Sequence, residues 1–169
     1  MATRTTSRLL GLTFCALGAC ASGPQRPRGE AALQPLEEIR AMRVIDEVLR
    51  ERGLAAVRGQ RFRISARRDF DCDAFIGPSR HCIEFVVNAD REVFGQFLPR
   101  ASRPGAIVVA PGVDDSRGAD VLVLDDRDYA YDPDPERAGE GRQTLQEIED
   151  RLRRTLIDYI TWLRENGRL

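Results

Sequence analysis

The segment 144–166 constrains the fold more than any other part of this chain, because its apolar residues recur at the three- and four-residue steps of an α-helix. The apolar stripe consists of Leu145, Ile148, Leu152, Leu156, Tyr159, Ile160 and Leu163. Thr144 and Glu147 match a capping box at its start. Acid–arginine pairs four residues apart, such as Glu149 and Arg153, also favour a helix. A stripe of this length needs a partner surface, so we predict that helix 144–166 packs on a second layer.

A second amphipathic helix is predicted over residues 35–52. Pro35 suits the first turn of a helix, and Gly53 suits the position just after its last residue. The apolar side of this helix is expected to comprise Leu36, Ile39, Met42, Ile45, Val48 and Leu49. The two helices therefore lie at the two ends of the region that we expect to fold.

Four segments between these helices have the patterns of β-strands. We expect residues 60–66 to pair with 81–88 in a long hairpin, and 106–110 to pair with 119–125 in a second one. Residues 90–100 suit a short helix. The predicted fold class is α+β, with two layers: a four-stranded antiparallel sheet covered by an N-terminal and a C-terminal helix.

Two of the four cysteines, Cys72 and Cys82, lie within the region expected to fold. An even pair in an exported protein predicts a disulfide, which would stabilise the fold by about 2.5–3 kcal/mol in the chain-entropy model. The alternative is a metal site that also uses His81, but we find no further ligands at suitable spacing.

The N-terminus has the pattern of a secretory signal. Arg4 and Arg8 precede an apolar run at 9–17, which is shorter than the roughly 20 residues that a membrane-spanning helix needs. We therefore predict that residues 1–19 are a signal peptide. Residues 20–34 are poor in apolar side chains and contain two prolines, so we predict a flexible tether before a single domain at 35–169.

The motif Leu17-Gly18-Ala19-Cys20 resembles the lipobox of bacterial lipoproteins. The resemblance implies cleavage before Cys20 and attachment of lipid, including palmitate, to that residue. Because Ala21 rather than aspartate follows, it also implies export to the outer membrane, in the inner leaflet and facing the periplasm. Ordinary secretory cleavage after Ala21 is the alternative, since Ala19-Cys20-Ala21 also fits the small-x-small rule.

Two groups of residues are candidates for hydrolytic chemistry. Ser79 and His81 could form part of a nucleophilic site, but their surroundings lack the Gly-x-Ser-x-Gly elbow. Carboxylates at 114–134, including Asp114, could do acid–base work. The acidic segment 125–136 could hold calcium, yet it fails the spacing of an EF-hand loop, and we expect it to be a solvated loop. We assign no catalytic, cofactor-binding or metal-binding residue.

Composition narrows the function classes further. The formal net charge is −1, without the basic excess that nucleic-acid binding needs. The chain contains no lysine, which excludes a lysine nucleophile or Schiff base. We therefore expect a lipid-anchored envelope lipoprotein whose domain is a non-catalytic binding or assembly-support module for another envelope protein. The alternative is a small periplasmic hydrolase that uses the carboxylates at 114–134 or the pair Ser79 and His81.

Overall fold

Three α-helices are present among residues 32–77, 79–103, 105–134 and 141–169, which are the residues that the computed structural model describes. They are α1 (Glu38–Glu51), α2 (Asn88–Phe94) and α3 (Leu145–Glu165). The predicted C-terminal helix is confirmed, with its capping box. Thr144 Oγ1 accepts the N–H of Glu147 at 3.2 Å, and the Glu147 carboxylate accepts the N–H of Thr144 at 2.7 Å. Six of the seven stripe residues are buried, and Leu145 is half-buried.

α1 confirms the predicted N-terminal helix but begins three residues later than expected. The chain before it is extended, because Gln34–Pro35 forms a short strand, β1, that pairs with a later strand at Ala130–Tyr131. Ile39 was expected in the core but is 77% exposed. It lies about 200° around the helix axis from the buried Ala41, so the two side chains cannot share one face.

The main sheet has five strands and is mixed, so the prediction of a four-stranded antiparallel sheet is wrong. Its strands, in spatial order, are β2 (Ala55–Val57), β5 (Ala74–Gly77), β6 (His81–Val86), β8 (Asp120–Asp125) and β7 (Val109–Pro111). The central pair, β6 and β8, is parallel, and the other neighbours are antiparallel. A parallel pair needs a long crossover, which the segment containing α2 and β7 provides. The predicted second hairpin exists as β7 and β8.

The predicted long hairpin between 60–66 and 81–88 is also wrong. The first of these segments, β3 (Arg61–Ser65), instead pairs with β4 (Arg68–Asp71) in a separate two-stranded sheet. A tight turn joins β3 to β4, and closing it costs less chain entropy than closing the longer predicted loop. β6 then pairs with β5 across another short turn.

Both faces of the main sheet are covered. α1 and α3 pack on one face, which we call the helix face, through a core that includes Ile83 and Phe85 of β6. The β3–β4 hairpin and the segment around α2 cover the other face, the hairpin face, through a core that includes Cys82 and Val86. Side chains alternate along a strand, so Glu84 of β6 points to the hairpin face.

The predicted disulfide joins Cys72, just before β5, to Cys82 of β6. Both cysteines are buried in the core of the hairpin face, with their Cα atoms 6.1 Å apart. Glu84 is therefore two residues away from a rigid cross-link. The remaining strand, β9 (Ala130–Tyr131), is the partner of β1.

Candidate ligand-binding cleft

Ser79 and His81 are used to hold the backbone in place. Ser79 Oγ donates to the carbonyl of Ile76 at 2.7 Å and accepts the N–H of His81 at 3.5 Å. The buried His81 imidazole accepts the N–H of Asp120 through Nδ1 at 3.0 Å. Burial and the nearby Arg168 lower the pKa of His81, so its imidazole is neutral at neutral pH. Both side chains thus support the β5–β6 turn and the junction between β6 and β8.

Of the carboxylates considered for hydrolysis, Asp120 lies beside His81, with Oδ2 4.0 Å from Nδ1, and it is also paired with Arg168. Asp114 lies in a 3-10 turn (Asp114–Ser116), where its carboxylate is 3.7 Å from the guanidinium of Arg63. Asp126 follows the end of β8, whereas His81 lies beside the start of that strand. A strand of six residues spans roughly 15–20 Å, so Asp126 and His81 lie too far apart to act on one bond.

The described part of the acidic segment, 125–134, is not the solvated loop that we expected, because Asp125, Asp126 and Asp132 are buried. The Asp125 carboxylate is 2.7 Å from the guanidinium of Arg91, and that of Asp132 is 2.8 Å from Arg142. Burial, followed by the charge of Asp125, raises the pKa of Asp126. The sequence shows that these residues are charged. It does not show their partners, because the arginines paired with Asp132 and Asp125 lie 10 and 34 residues away along the chain.

Among the described residues, one group of potential metal ligands has its donor atoms within 4.8 Å of one another: Cys72, Cys82 and Glu84. The two sulfurs are bonded to each other, so they are not available to an ion. Residues 135–140, part of the segment considered for calcium, lie outside the described residues. The proximity of these three residues shows instead that the buried carboxyl of Glu84 lies beside the disulfide.

Glu84 lies at the floor of an open cleft of about 370 Å³ on the hairpin face, lined by parts of β3, β4, β6 and α2. We call it the carboxyl cleft. Glu84 is only 5% exposed. Its Oε2 accepts the main-chain N–H of Asp73 at 3.1 Å, and an oxygen of the Asp73 carboxylate accepts the N–H of Phe85 at 2.7 Å. These reciprocal bonds between β6 and the residue just before β5 fix the position of the Glu84 carboxyl.

The protonation of Glu84 is unusual for a carboxyl group. Burial, followed by the neighbouring Asp73, raises the pKa of Glu84 from 4.5 to about 9. Burial likewise raises the pKa of Asp73 to about 6, with Glu38 and Asp90 adding to the effect and Arg58 opposing it. Glu84 is therefore protonated at neutral pH, and it can release a proton when a positive charge enters the cleft.

The rim of the carboxyl cleft is acidic. Asp69, Asp71 and Asp90 contribute three carboxylates, and the single cation in the lining is Arg61. The Arg61 guanidinium is 3.5 Å from Asp69 and 3.6 Å from Asp71, and its side chain is 74% exposed. Asp90 also accepts the N–H of Val87 at 3.0 Å, which caps the start of α2.

The apolar part of the cleft wall consists of two phenylalanines. Phe70 of β4 and Phe94 of α2 have ring centroids 5.7 Å apart. Phe70 is buried, whereas Phe94 is half-buried. The cleft therefore combines negative charge at its rim, a neutral carboxyl at its floor and aromatic rings in its wall.

Glu84 was not predicted as a site residue, although the sequence contains a signal for it. Glu84 is a single acidic residue within the apolar run Ile-Glu-Phe-Val-Val. A carboxyl in a buried strand must be paired, protonated or used for binding. Its proximity to Phe94 and Asp90 could not be read from the sequence, because it depends on how α2 packs over β6.

Comparisons with known protein families, with curated proteins and with solved structures give no match for this chain. Within the described part of the chain, none of the helices is both long and apolar enough to cross a membrane. Cys20 and the predicted signal and lipobox, residues 1–20, lie outside the described residues.

Proposed function

We propose that this chain is a lipid-anchored bacterial envelope lipoprotein, held at Cys20 in the inner leaflet of the outer membrane and facing the periplasm. Its folded domain is a non-catalytic module that binds another envelope protein. The lipobox motif Leu17-Gly18-Ala19-Cys20 supports the anchor. A buried disulfide fits an oxidising compartment.

The carboxyl cleft is the observation that carries the binding part of this proposal. It is open to solvent, and a network of main-chain hydrogen bonds holds its buried carboxyl in place. A site that is already formed loses little entropy when a ligand binds. The groups first considered for hydrolysis, Ser79 and His81, bond to the backbone instead.

A periplasmic hydrolase remains a second candidate because of Glu84 and Asp73. Two neighbouring carboxyl groups with separated pKa values, about 9 and about 6, are typical of acid–base pairs. Such an enzyme needs both groups to reach the substrate. Glu84 lines the cleft and Asp73 does not, which favours binding over catalysis.

Site-directed photo-crosslinking in living cells tests the proposed function. A photoreactive amino acid would replace the exposed Arg61 at the cleft rim or, as a control, the exposed Asp158 on α3. α3 lies on the helix face, on the other side of the sheet from the cleft. We expect one discrete adduct with an envelope protein from position 61 and none from position 158. No adduct from position 61, or the same adduct from both positions, would contradict the proposal.

A further inference from the structure

We propose that the carboxyl cleft recognises an organic cation, specifically the guanidinium-bearing side chain of an arginine on the partner. This inference rests on the proposed function, since it names the chemistry by which the binding module selects its partner. It depends on three features of the cleft: a carboxyl oxygen without a partner, an excess of negative charge and an aromatic wall.

The first feature is the free oxygen of Glu84. Oε2 accepts the N–H of Asp73, but Oε1 has no hydrogen-bond partner among the described residues. It is also not among the fully enclosed polar side-chain atoms without a partner in the described part of the chain, and Glu84 lines the cleft. Once Glu84 has released its proton, this side chain, which is about 95% buried, presents one acceptor to an incoming donor. Leaving such a group without a partner is costly, and a bound N–H group would satisfy it.

The second feature is the charge around the opening. Asp69, Asp71 and Asp90 outnumber Arg61, which already lies near two of them and shows that a guanidinium fits at the rim. The distances of 3.5 and 3.6 Å are longer than those of a tight ion pair, so Arg61 leaves acceptor capacity unused. A guanidinium has five N–H donors, which can reach rim and floor together.

The third feature is the wall formed by Phe70 and Phe94, which favours an organic cation over a metal ion as the ligand. A guanidinium on an apolar stem gains from contact with aromatic faces, whereas a hydrated divalent ion does not. A metal ion also needs several converging oxygens. Among the described residues, Glu84 shares a potential ion site only with the two cysteines of the disulfide.

Cation binding should release a proton from Glu84. The charged groups with the largest effect on the pKa of Glu84 are all acidic. They are Asp73 of the β4–β5 link, Asp90 of α2 and Glu38 of α1. The nearby Arg58 acts on Asp73, where it donates to the main-chain oxygen. A guanidinium at the cleft would supply the positive charge that these groups lack, and it would favour the ionised form of Glu84.

Isothermal titration calorimetry of the whole exported domain with N-acetyl-arginine amide tests this inference. The titration is run near neutral pH in two buffers with different ionisation enthalpies, which reveals the protons released. We expect saturable binding, proton release, and no binding of the uncharged norleucine analogue. We expect Glu84→Gln to weaken binding about tenfold or more and to abolish the proton release.

Two further variants complete the test. Asp90→Asn keeps the oxygen that caps α2 and removes a rim charge, so it should weaken binding even if Glu84→Gln folds poorly. Asp158→Asn on the helix face should bind like the wild type. Absence of saturable binding, equal binding of norleucine, or preference for Mg²⁺ or Ca²⁺ would overturn the inference. If arginine binds but position 61 gives no envelope adduct, the proposed function fails while the cation site stands.

Discussion

The Glu84 carboxyl makes the stability of the folded domain depend on pH. Its pKa is about 9 in the folded chain and near 4.5 when unfolded, so between these values the folded state holds a proton that the unfolded state has lost. The free energy of unfolding therefore decreases as the pH rises across this range. The contribution is fully present below about 4.5 and is lost by about 9. Asp73, whose pKa is raised to about 6, acts in the same direction.

The variant Glu84→Gln tests this dependence. Glutamine keeps the acceptor for the Asp73 N–H and cannot ionise, so the variant should gain stability relative to the wild type as the pH rises from about 5 to about 9. Thermal unfolding at several pH values measures the difference in melting temperature. If the difference in melting temperature stayed constant across this pH range, the folded state would not hold Glu84 in its protonated form, and the prediction would be wrong. Asp158→Asn serves as the matched surface control.

At the scale of elements, α1 and α3 are joined by both apolar packing and ion pairs. Arg153 of α3 lies 2.8 Å from Glu47 and 2.9 Å from Glu51, both in α1. Glu149, which we expected to pair with Arg153 along its own helix, lies 2.9 Å from Arg43 of α1 instead. Partly exposed pairs of this kind contribute little, and we expect most of the stability of the interface to come from its apolar core.

Leu152→Ala tests the contribution of that core. Leu152 is fully buried on α3, and truncating a buried leucine costs roughly 2–5 kcal/mol, a large part of a typical total of about 5–15 kcal/mol. We expect a clear drop in melting temperature. The exposed Arg154 is the control, since Arg154→Ala should change stability by no more than about 0.5 kcal/mol. Equal effects of the two substitutions would show that α3 is not part of the core.

Both helices with long apolar stripes could be predicted from the sequence, and so could β7 and β8, because local periodicity identifies such elements. β4 was missed, since Arg68-Asp-Phe-Asp71 carries one apolar side chain and its burial depends on the rings of Phe62 and Phe94. The register of β3 and the pairing of β5 with β6 were missed for the same reason. Local patterns do not specify which strand lies beside which.

At the scale of the whole molecule, the parallel pairing of β6 and β8 decides where the functional groups lie. It places His81 and Asp126 at opposite ends of the sheet, so these two candidate residues do not lie together. The β3–β4 hairpin forms a third layer, and with α2 it creates the carboxyl cleft above Glu84. None of these long-range relations leaves a periodic signal in the sequence, so the cleft could not be predicted.

We propose that lipid on Cys20 anchors the whole molecule to the membrane. Palmitate labelling combined with membrane fractionation tests this proposal most directly. The wild type should incorporate label and sediment with outer membranes, because stable anchoring needs more than one acyl chain. Cys20→Ala should lose the label and become soluble, whereas Cys15→Ala, in the segment predicted to be cleaved, should behave like the wild type. An unlabelled, soluble wild type, or a Cys20→Ala variant that still sediments with membranes, would contradict the account.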